Sequence, residues 1–497
     1  MAASRKAPKN PLIAVVGATG TGKSKLAVDL AIRFNGEIIN GDAMQMYKGL
    51  PITTNQLPLD ERQGIPHHLI GCIDLDQKPW RIGHFKKESL RLIEEIRSRG
   101  RLPILVGGTH YYTQSVLFHE PLLDEGLSEE DSENDSDSLK APNREHGEDA
   151  RKISTSSDTT EFSISRASDE EILEKLREVD PVMANRWHPK AKRKIKRSLE
   201  IYLQTGRPAS EIYLEQKKRI RRAESQHKHS DLVREGSGNE SDSRLGQARF
   251  PMLIFWVHTD RDELFKRLET RVDGMVEQGL LMEAQHMYKH LQDKADKGED
   301  VDRTRGIWVS IGFKELEPYI KKLSSVANTF TIEGLDQLKN DCIMTINSAT
   351  KSYAKQQLKW IKGKLWKALG TAGITNRLYI VDSTRGDQWN TVVRLPADDI
   401  TQRFLSGDTL PHPSEISTVA SEVFALVKEP ASSEMSDIPQ NKTCMVCNTI
   451  IAEESVWIKH MKGRRHKRAL QAAEKRRQRD AYFEQLQKEA QVTLPGP

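Results

Sequence analysis

Residues 17–24 read GATGTGKS and match the phosphate-binding pattern GxxxxGK[ST] in full. The apolar run LIAVV at 12–16 precedes them and a helical pattern at 23–34 follows, which is the setting that such a loop requires. Glycines let backbone N–H groups converge on phosphate oxygens, and the start of the helix adds partial positive charge. We therefore predict a diphosphate-binding loop, whose members are Gly17, Ala18, Thr19, Gly20, Thr21, Gly22, Lys23 and Ser24.

The chemistry at this loop depends on what accompanies it. Lys23 supplies a point charge, and Ser24 supplies a hydroxyl suited to Mg²⁺. Nucleotide hydrolysis usually also needs a strand that ends in Asp, but the strand pattern LPILV at 102–106 ends in Gly107, Gly108 and Thr109. This favours a diphosphate that acts as a leaving group, while a kinase or NTPase stays the alternative.

Asp42 follows a second strand pattern, EIIN at 37–40. Ligands of an open parallel sheet bind beyond the C-terminal ends of its strands, so we expect Asp42 to face the same crevice as Lys23. Asp42 would then be a general base near the phosphate. An Asp at such a position also commonly caps a turn or a helix. The spacing alone leaves the two interpretations about equal.

Near the C-terminus, four residues have the spacing of a Cys₂His₂ zinc site: Cys444, Cys447, His460 and His466. Ile451 and Trp457 lie between them, where such fingers keep apolar residues. A unit this small does not fold without its metal, so we expect a structural Zn²⁺. The basic residues that follow, GRRHKR at 463–468 and KRR at 475–477, extend a basic surface that suits RNA, and the plainer interpretation of this tail is a solvated helix or a nuclear-localisation signal.

The arrangement of these motifs predicts an α/β protein. Strand and helix patterns alternate from LIAVV at 12–16 to LPILV at 102–106, which is typical of a parallel sheet, and the strand pattern MLIFWVH at 252–258 resumes the core after the helical insertion. We predict a P-loop parallel-sheet core with an inserted helical domain and a C-terminal C2H2 zinc finger. The predicted domains are core 1–120, disordered acidic insertion 121–168, helical insertion 169–221, disordered loop 222–249, core 250–400, linker 401–440 and finger with basic helix 441–497.

Composition limits the classes that remain. The 497 residues are 37% hydrophobic and 30% charged, with a mean hydropathy of −0.63, which indicates disordered insertions. Four cysteines form no disulfide framework, so we expect a reducing compartment. No apolar stretch reaches membrane-spanning length, and we predict no membrane association. The cytoplasm fits best, and the basic N-terminus and tail leave mitochondrion and nucleus open.

Several ordered motifs together carry a family resemblance from residue 12 to about 365. They are the phosphate loop, GDAMQMYKGL at 41–50, IPHHLIG at 65–71, LVGGTHYY at 105–112, DPVMANRWHP at 180–189, IKRSLEIYLQTGRP at 195–208 and RLETRVDGMVEQGL at 267–280. The chain resembles tRNA dimethylallyltransferases. The finger indicates a eukaryotic member, and IWVSIGFKELEPY at 307–319 is fungal in style.

The resemblance implies transfer of dimethylallyl from its diphosphate to N6 of adenosine 37 in the tRNA anticodon loop, by a monomer that uses Mg²⁺. It implies that Asp42 takes the N6 proton, that Arg271 joins the phosphate loop at the diphosphate, and that Thr109 contacts the adenine. The tRNA-binding residues would be Asp42, Ala43, Met44, Gln45, Arg193, Lys194, Ile195, Lys196 and Arg197.

The basic run at 190–197 has a plainer interpretation, a solvated helix face, and only the resemblance favours a grip on tRNA. The sequence also departs from the family at Lys190-Ala191, at Lys194, at Val309 and at Lys351–Gln357. We expect these departures to change RNA affinity more than chemistry. Two rival functions are a P-loop kinase or NTPase acting on RNA, and a non-catalytic RNA-binding adaptor. The adaptor leaves GDAMQMY and VGGTHYY without a purpose.

Overall fold

The structure is a computed structural model, and it describes residues 6–119, 164, 167–187, 191–215, 218, 246–324, 332–426, 442–447, 449–451 and 454–492. The segments predicted as disordered, 121–168 and 222–249, lie almost wholly outside these ranges. The chain divides into two compact units. The first comprises Met1–Ser136 and Gln216–Pro430, and the second comprises Asp137–Glu215 and Ala431–Pro497.

A six-stranded, all-parallel sheet organises the first unit, which confirms the predicted α/β core. Its order is β3-β2-β4-β1-β5-β6. The strands are β1 Leu12–Gly17, β2 Gly36–Asn40, β3 His67–His68, β4 Leu102–Val106, β5 Met252–His258 and β6 Leu378–Asp382. Because all strands run the same way, the segments after β1, β2 and β4 meet at one edge.

Both faces of this sheet are covered. Leu12, Ala14 and Val16 of β1 belong to one apolar cluster, and Ile13 and Val15 belong to another on the opposite face. Such double burial explains why β1 is a continuous apolar run rather than an alternating one. Helices of this unit are Lys23–Arg33, Ile82–Ser98, His110–Leu117, Arg261–Gln278, Leu280–Asp296, Phe313–Ser324, Ile332–Trp360, Trp366–Thr371, Leu395–Ser406 and Thr418–Leu426.

The structure differs from the sequence prediction at 401–440. The predicted linker contains the end of helix Leu395–Ser406 and the whole of helix Thr418–Leu426. Phe404 and Ala420 are buried against the core clusters of the first unit. The Pro and Ser residues that favoured a linker mark the turn between two packed helices, so the folded core continues past residue 400.

The second unit contains the predicted helical insertion, as helices Asp169–Val179, Pro181–Arg186 and Lys192–Thr205. Ser168 and Glu171 form a capping box that begins the first helix. The unit also contains a hairpin and two helices near the C-terminus, with bounds Lys442–Cys444, Thr449–Ile451, Glu454–Lys462 and Arg464–Val492. Among the described helices of the whole chain, none is long and apolar enough to cross a membrane.

Candidate active site at the carboxyl ends of the strands

The phosphate loop at 17–24 is held in shape by its own contacts. Gly20 and Gly22 have φ angles of 86° and 88°, which a side chain would strain. The buried Thr21 hydroxyl donates to the Ala18 carbonyl at 2.9 Å, and the Ser383 hydroxyl donates to the Thr21 carbonyl at the same distance. These contacts and the two glycine conformations therefore hold the loop in one defined shape.

Two cations converge on this loop. Lys23 Nζ donates to the Ala18 carbonyl at 2.6 Å, and Arg271 Nη1 donates to Thr19 Oγ1 at 2.8 Å. Burial lowers the pKa of Lys23 to about 8, although the nearby Asp42 carboxylate opposes that shift. Burial likewise lowers the pKa of Arg271 to about 10. Both groups therefore carry positive charge at neutral pH.

Asp42 lies just beyond β2 and faces these cations. Burial raises its pKa, while the Met44 N–H and the charges of Lys23 and Arg271 oppose the rise. Its Oδ1 accepts the Met44 N–H at 3.1 Å, and its Oδ2 lies beside Gly108. The turn-capping interpretation and the general-base interpretation are thus compatible, because Oδ1 caps the turn while Oδ2, beside Gly108, takes no part in that cap.

Asn40, the last residue of β2, holds the Asp42 segment in place. Its Oδ1 accepts the Asp42 N–H at 2.9 Å, and its Nδ2 donates to the Asp42 carbonyl at 3.0 Å and to the Leu69 carbonyl at 2.8 Å. The side chain is 4% exposed. Sequence reasoning missed this residue, since its role depends on the return of residue 69 to the end of β2.

The residues Gly107–Thr109, named here the GGT turn, approach the Asp42 segment closely. A Cβ at Gly107 would lie 2.3 Å from the Gly41 carbonyl oxygen, so only glycine fits. Thr109 donates its N–H to the Gly41 carbonyl, and its Oγ1 accepts the Ala43 N–H at 3.1 Å. The structure therefore brings Thr109 to the predicted tRNA-binding segment 42–45.

A long helix from the distant part of the chain, Ile332–Trp360, packs over the site. Gln357 accepts the Thr19 N–H at 2.8 Å and donates to the Gly108 carbonyl at 3.0 Å. Tyr353 hydrogen-bonds with Thr109 and Gln357, and burial raises its pKa. Sequence reasoning missed both roles. One signal in the sequence could have found them. Tyr353, Gln357 and Ile361 are spaced four residues apart, so they share one helix face, and the apolar Ile361 indicates that this face is buried.

His110 and Trp360 form a stacked aromatic pair beside the GGT turn. Their ring centroids are 4.4 Å apart and their planes differ by 8°. Burial, together with the nearby charge of Lys23, lowers the pKa of His110 to about 3. The imidazole is therefore neutral at physiological pH and adds no cation to the site.

The basic helix Lys192–Thr205 of the second unit presents Arg193 and Lys194 to solvent. Ile195 is 3% exposed and packs with Ile172 and Leu199, so the expectation that its side chain contacts RNA is corrected. The run of basic residues at 192–197 suggested one solvent-facing surface, but Ile195 is the apolar position of that run and faces the core. Lys196 and Arg197 are partly buried, and Arg197 pairs with Glu200 at 3.4 Å.

The four C-terminal cysteine and histidine residues come together as the spacing predicts. Their ligand atoms all lie within 4.8 Å of one another. His466 Nδ1 is 3.4 Å from Cys444 Sγ and 3.5 Å from Cys447 Sγ. These separations match the edges of a tetrahedron with metal bonds of about 2.3 Å to sulfur and 2.0 Å to nitrogen. His460 Nε2 is buried and has no partner among the described residues, as a metal ligand would.

The fold and the site together define a P-loop protein. The Asp42 carboxylate lies opposite its phosphate loop, and no acidic residue follows β4 in the GGT turn. Comparison with known families gives the class its name. The family model described as IPP transferase matches residues 45–364, and the chain belongs to this family.

Named relatives agree with this assignment over nearly the whole chain. The chain is 33% identical to the tRNA dimethylallyltransferase of Schizosaccharomyces pombe over 487 residues, which cover 94% of this chain and 97% of the relative. It is 31% identical to the human tRNA dimethylallyltransferase, with 95% and 87% covered. A crystal structure of a eukaryotic dimethylallyltransferase acting on tRNA matches with a TM-score of 0.66 and 29% identity, covering 96% of this chain and 100% of that one.

Proposed function

We propose that this chain transfers a dimethylallyl group from dimethylallyl diphosphate to N6 of adenosine 37 in the tRNA anticodon loop, giving N6-isopentenyladenosine. The observation that supports it most is the placement of Asp42 opposite Lys23 and Arg271, at the edge where β1 and β2 end. A base and a diphosphate site on opposite sides of one crevice suit transfer of a group that lies between them.

The acceptor needs help because the lone pair of an adenine amine is delocalised into its ring. A bond forms between N6 and C1 of the dimethylallyl group, and the N6 proton passes to Asp42. Proton removal by a positioned base contributes about 100- to 10,000-fold. Thr109 and the segment 42–45 hold the adenine, which must leave the base stack of a single-stranded loop to enter the crevice.

The donor breaks its C1–O bond and leaves negative charge on the diphosphate. Lys23, Arg271 and the N–H groups of the phosphate loop stabilise that charge where it develops. Mg²⁺ is held in such sites by one or two protein ligands and by substrate phosphates, and the half-buried Ser24 hydroxyl at the helix start fits that donor set. When bound, the ion neutralises charge on the leaving diphosphate.

RNA binding is proposed for two surfaces of the second unit. One is the basic helix with Arg193 and Lys194, and the other is the C-terminal finger with its basic helix Arg464–Val492. The convergence of two Cys and two His ligand atoms within 4.8 Å of one another supports a structural Zn²⁺. None of the four cysteines is in a disulfide, which agrees with a reducing compartment such as the cytoplasm. We propose that the protein acts as a monomer.

The kinase or NTPase alternative is less well supported. The GGT turn ends β4 with no carboxylate, and the described residues contain no Cys, His, Asp or Glu group of three or more except the Cys and His cluster. A metal that activates a nucleotide would lack its usual second ligand.

The proposal is tested with labelled dimethylallyl diphosphate and synthetic anticodon stem–loops. A stem–loop with adenosine at position 37 is expected to accept the label. A matched stem–loop with purine riboside at 37 lacks the N6 amine and is expected to accept none. Equal labelling of both would show that the acceptor is another atom.

A further inference from the structure

We infer that Gln357 closes one end of the phosphate loop, so that the loop accepts a chain of two phosphates and disfavours a third. The inference rests on the proposed function, since it names the donor class that this same site selects.

The Gln357 amide bridges two backbones. Its Oε1 accepts the Thr19 N–H at 2.8 Å and its Nε2 donates to the Gly108 carbonyl at 3.0 Å. A backbone N–H can only donate and a carbonyl can only accept, so this orientation of the amide satisfies both partners and the reverse satisfies neither. The side chain is 3% exposed, and its place is fixed.

The bridge removes part of the loop from phosphate binding. The Thr19 N–H is occupied by Gln357, and the Thr19 hydroxyl accepts a hydrogen bond from Arg271 Nη1 at 2.8 Å, which leaves only its O–H to donate. In the part of the chain that the structure describes, the N–H groups from Gly20 to Ser24 show no such protein partner. The loop can therefore donate to phosphate oxygens from the N–H groups next to the helix, from Gly20 to Ser24. The N–H group of Thr19, nearer to β1, is not available for such a bond.

The Gln357 amide also packs tightly against the GGT turn. A Cβ added at Gly108 would lie 2.5 Å from Gln357 Nε2, so amide and GGT turn are in close contact. A longer phosphate chain running past Thr19 would displace the amide and leave the buried Gly108 carbonyl without its donor. An unsatisfied buried group of this kind typically costs about 1–3 kcal/mol, or roughly tenfold or more in affinity.

Charge alone predicts the opposite preference. Tripolyphosphate carries more negative charge than pyrophosphate, and Lys23 and Arg271 would attract it more strongly. A preference for the shorter chain thus identifies closure of the loop rather than electrostatic attraction.

The test is calorimetric binding of pyrophosphate and of tripolyphosphate, each with Mg²⁺, to the full-length protein. The wild type is expected to bind tripolyphosphate about tenfold or more weakly. Gln357→Ala and the shorter Gln357→Asn are expected to abolish most of that preference, while Gln356→Ala, at the exposed neighbouring position, keeps it.

Tighter binding of tripolyphosphate by the wild type would overturn the inference even if neither variant folds. So would folded Gln357 variants that keep the wild-type preference. Because the readout is binding, it does not depend on dimethylallyl transfer, and a failure of the proposed function would appear separately in the stem–loop assay.

Discussion

Arg271 donates a 2.8 Å hydrogen bond to Thr19 Oγ1 across 252 residues of sequence. The bond connects the helix Arg261–Gln278, which follows β5, to the phosphate loop, which follows β1. It holds a guanidinium at the loop through a contact within the protein, and preorganised charge of this kind stabilises a leaving group most effectively.

Replacing Arg271 is expected to slow transfer. Arg271→Ala should lower kcat/KM for dimethylallyl diphosphate by about 100- to 1,000-fold, because one preorganised donor to the leaving group is lost. Steady-state kinetics with saturating tRNA measures this. Arg91→Ala, an exposed arginine paired with Glu88 and Glu95, is the matched control and should leave the rate unchanged. An Arg271→Ala rate within about threefold of wild type would contradict the role.

The pH dependence of transfer follows from Asp42 and Lys23. Burial raises the pKa of Asp42, and only the deprotonated carboxylate takes a proton, so kcat/KM should fall at acidic pH from a point above the ordinary aspartate pKa. The pKa of Lys23 is lowered to about 8, so the free enzyme should lose affinity for the diphosphate as the pH rises past that value.

A pH–rate profile of kcat/KM measures both limbs. Lys23→Arg places an always-charged group at the loop and is expected to shift the alkaline limb upward. An alkaline limb that stays unchanged in this variant would assign it to another group.

Asn40 is predicted to act through Asp42. Asn40→Ala removes three hydrogen bonds around the Asp42 segment and should lower kcat with little change in the affinity for pyrophosphate, since the phosphate loop is not touched. Ile39→Val, in the same strand, costs about 0.5–1.5 kcal/mol of stability without touching the turn and controls for destabilisation. Equal losses of kcat in the two variants would mean that Asn40 matters only for folding.

Much of this site is predictable from sequence because β1, β2 and β4 are short apolar runs with polar residues immediately after them. Parallel strands bring those ends to one edge, which places Lys23, Asp42 and Thr109 together. Arg271 entered only through family resemblance. Gln357 could not be found from local patterns, because its two partners are 338 and 249 residues away.

The same contrast between local and long-range features holds for the elements of the fold. Strands β4 and β5 begin and end where the apolar runs do, because a strand that is buried on both faces needs apolar residues along its whole length. The helix Thr418–Leu426 was missed because its apolar face has a partner only once the distant sheet has formed.

Metal removal is expected to separate RNA binding from chemistry. Cys444→Ser should raise the KM for tRNA while leaving pyrophosphate affinity unchanged, because the Cys and His cluster belongs to the second unit and the phosphate loop to the first. Cys72→Ser, at an exposed free cysteine of the first unit, is the control. Loss of pyrophosphate binding in Cys444→Ser would show that the two units do not fold independently.

The central claim is that Asp42 and the phosphate loop together transfer a dimethylallyl group to tRNA. It is tested most directly by incubating the purified protein with dimethylallyl diphosphate, Mg²⁺ and total tRNA, followed by mass spectrometry of the nucleosides, with Asp42→Ala alongside. The account predicts N6-isopentenyladenosine from the wild type and none from the folded variant. No prenylated nucleoside from any tRNA, with ATP consumed instead, would contradict it.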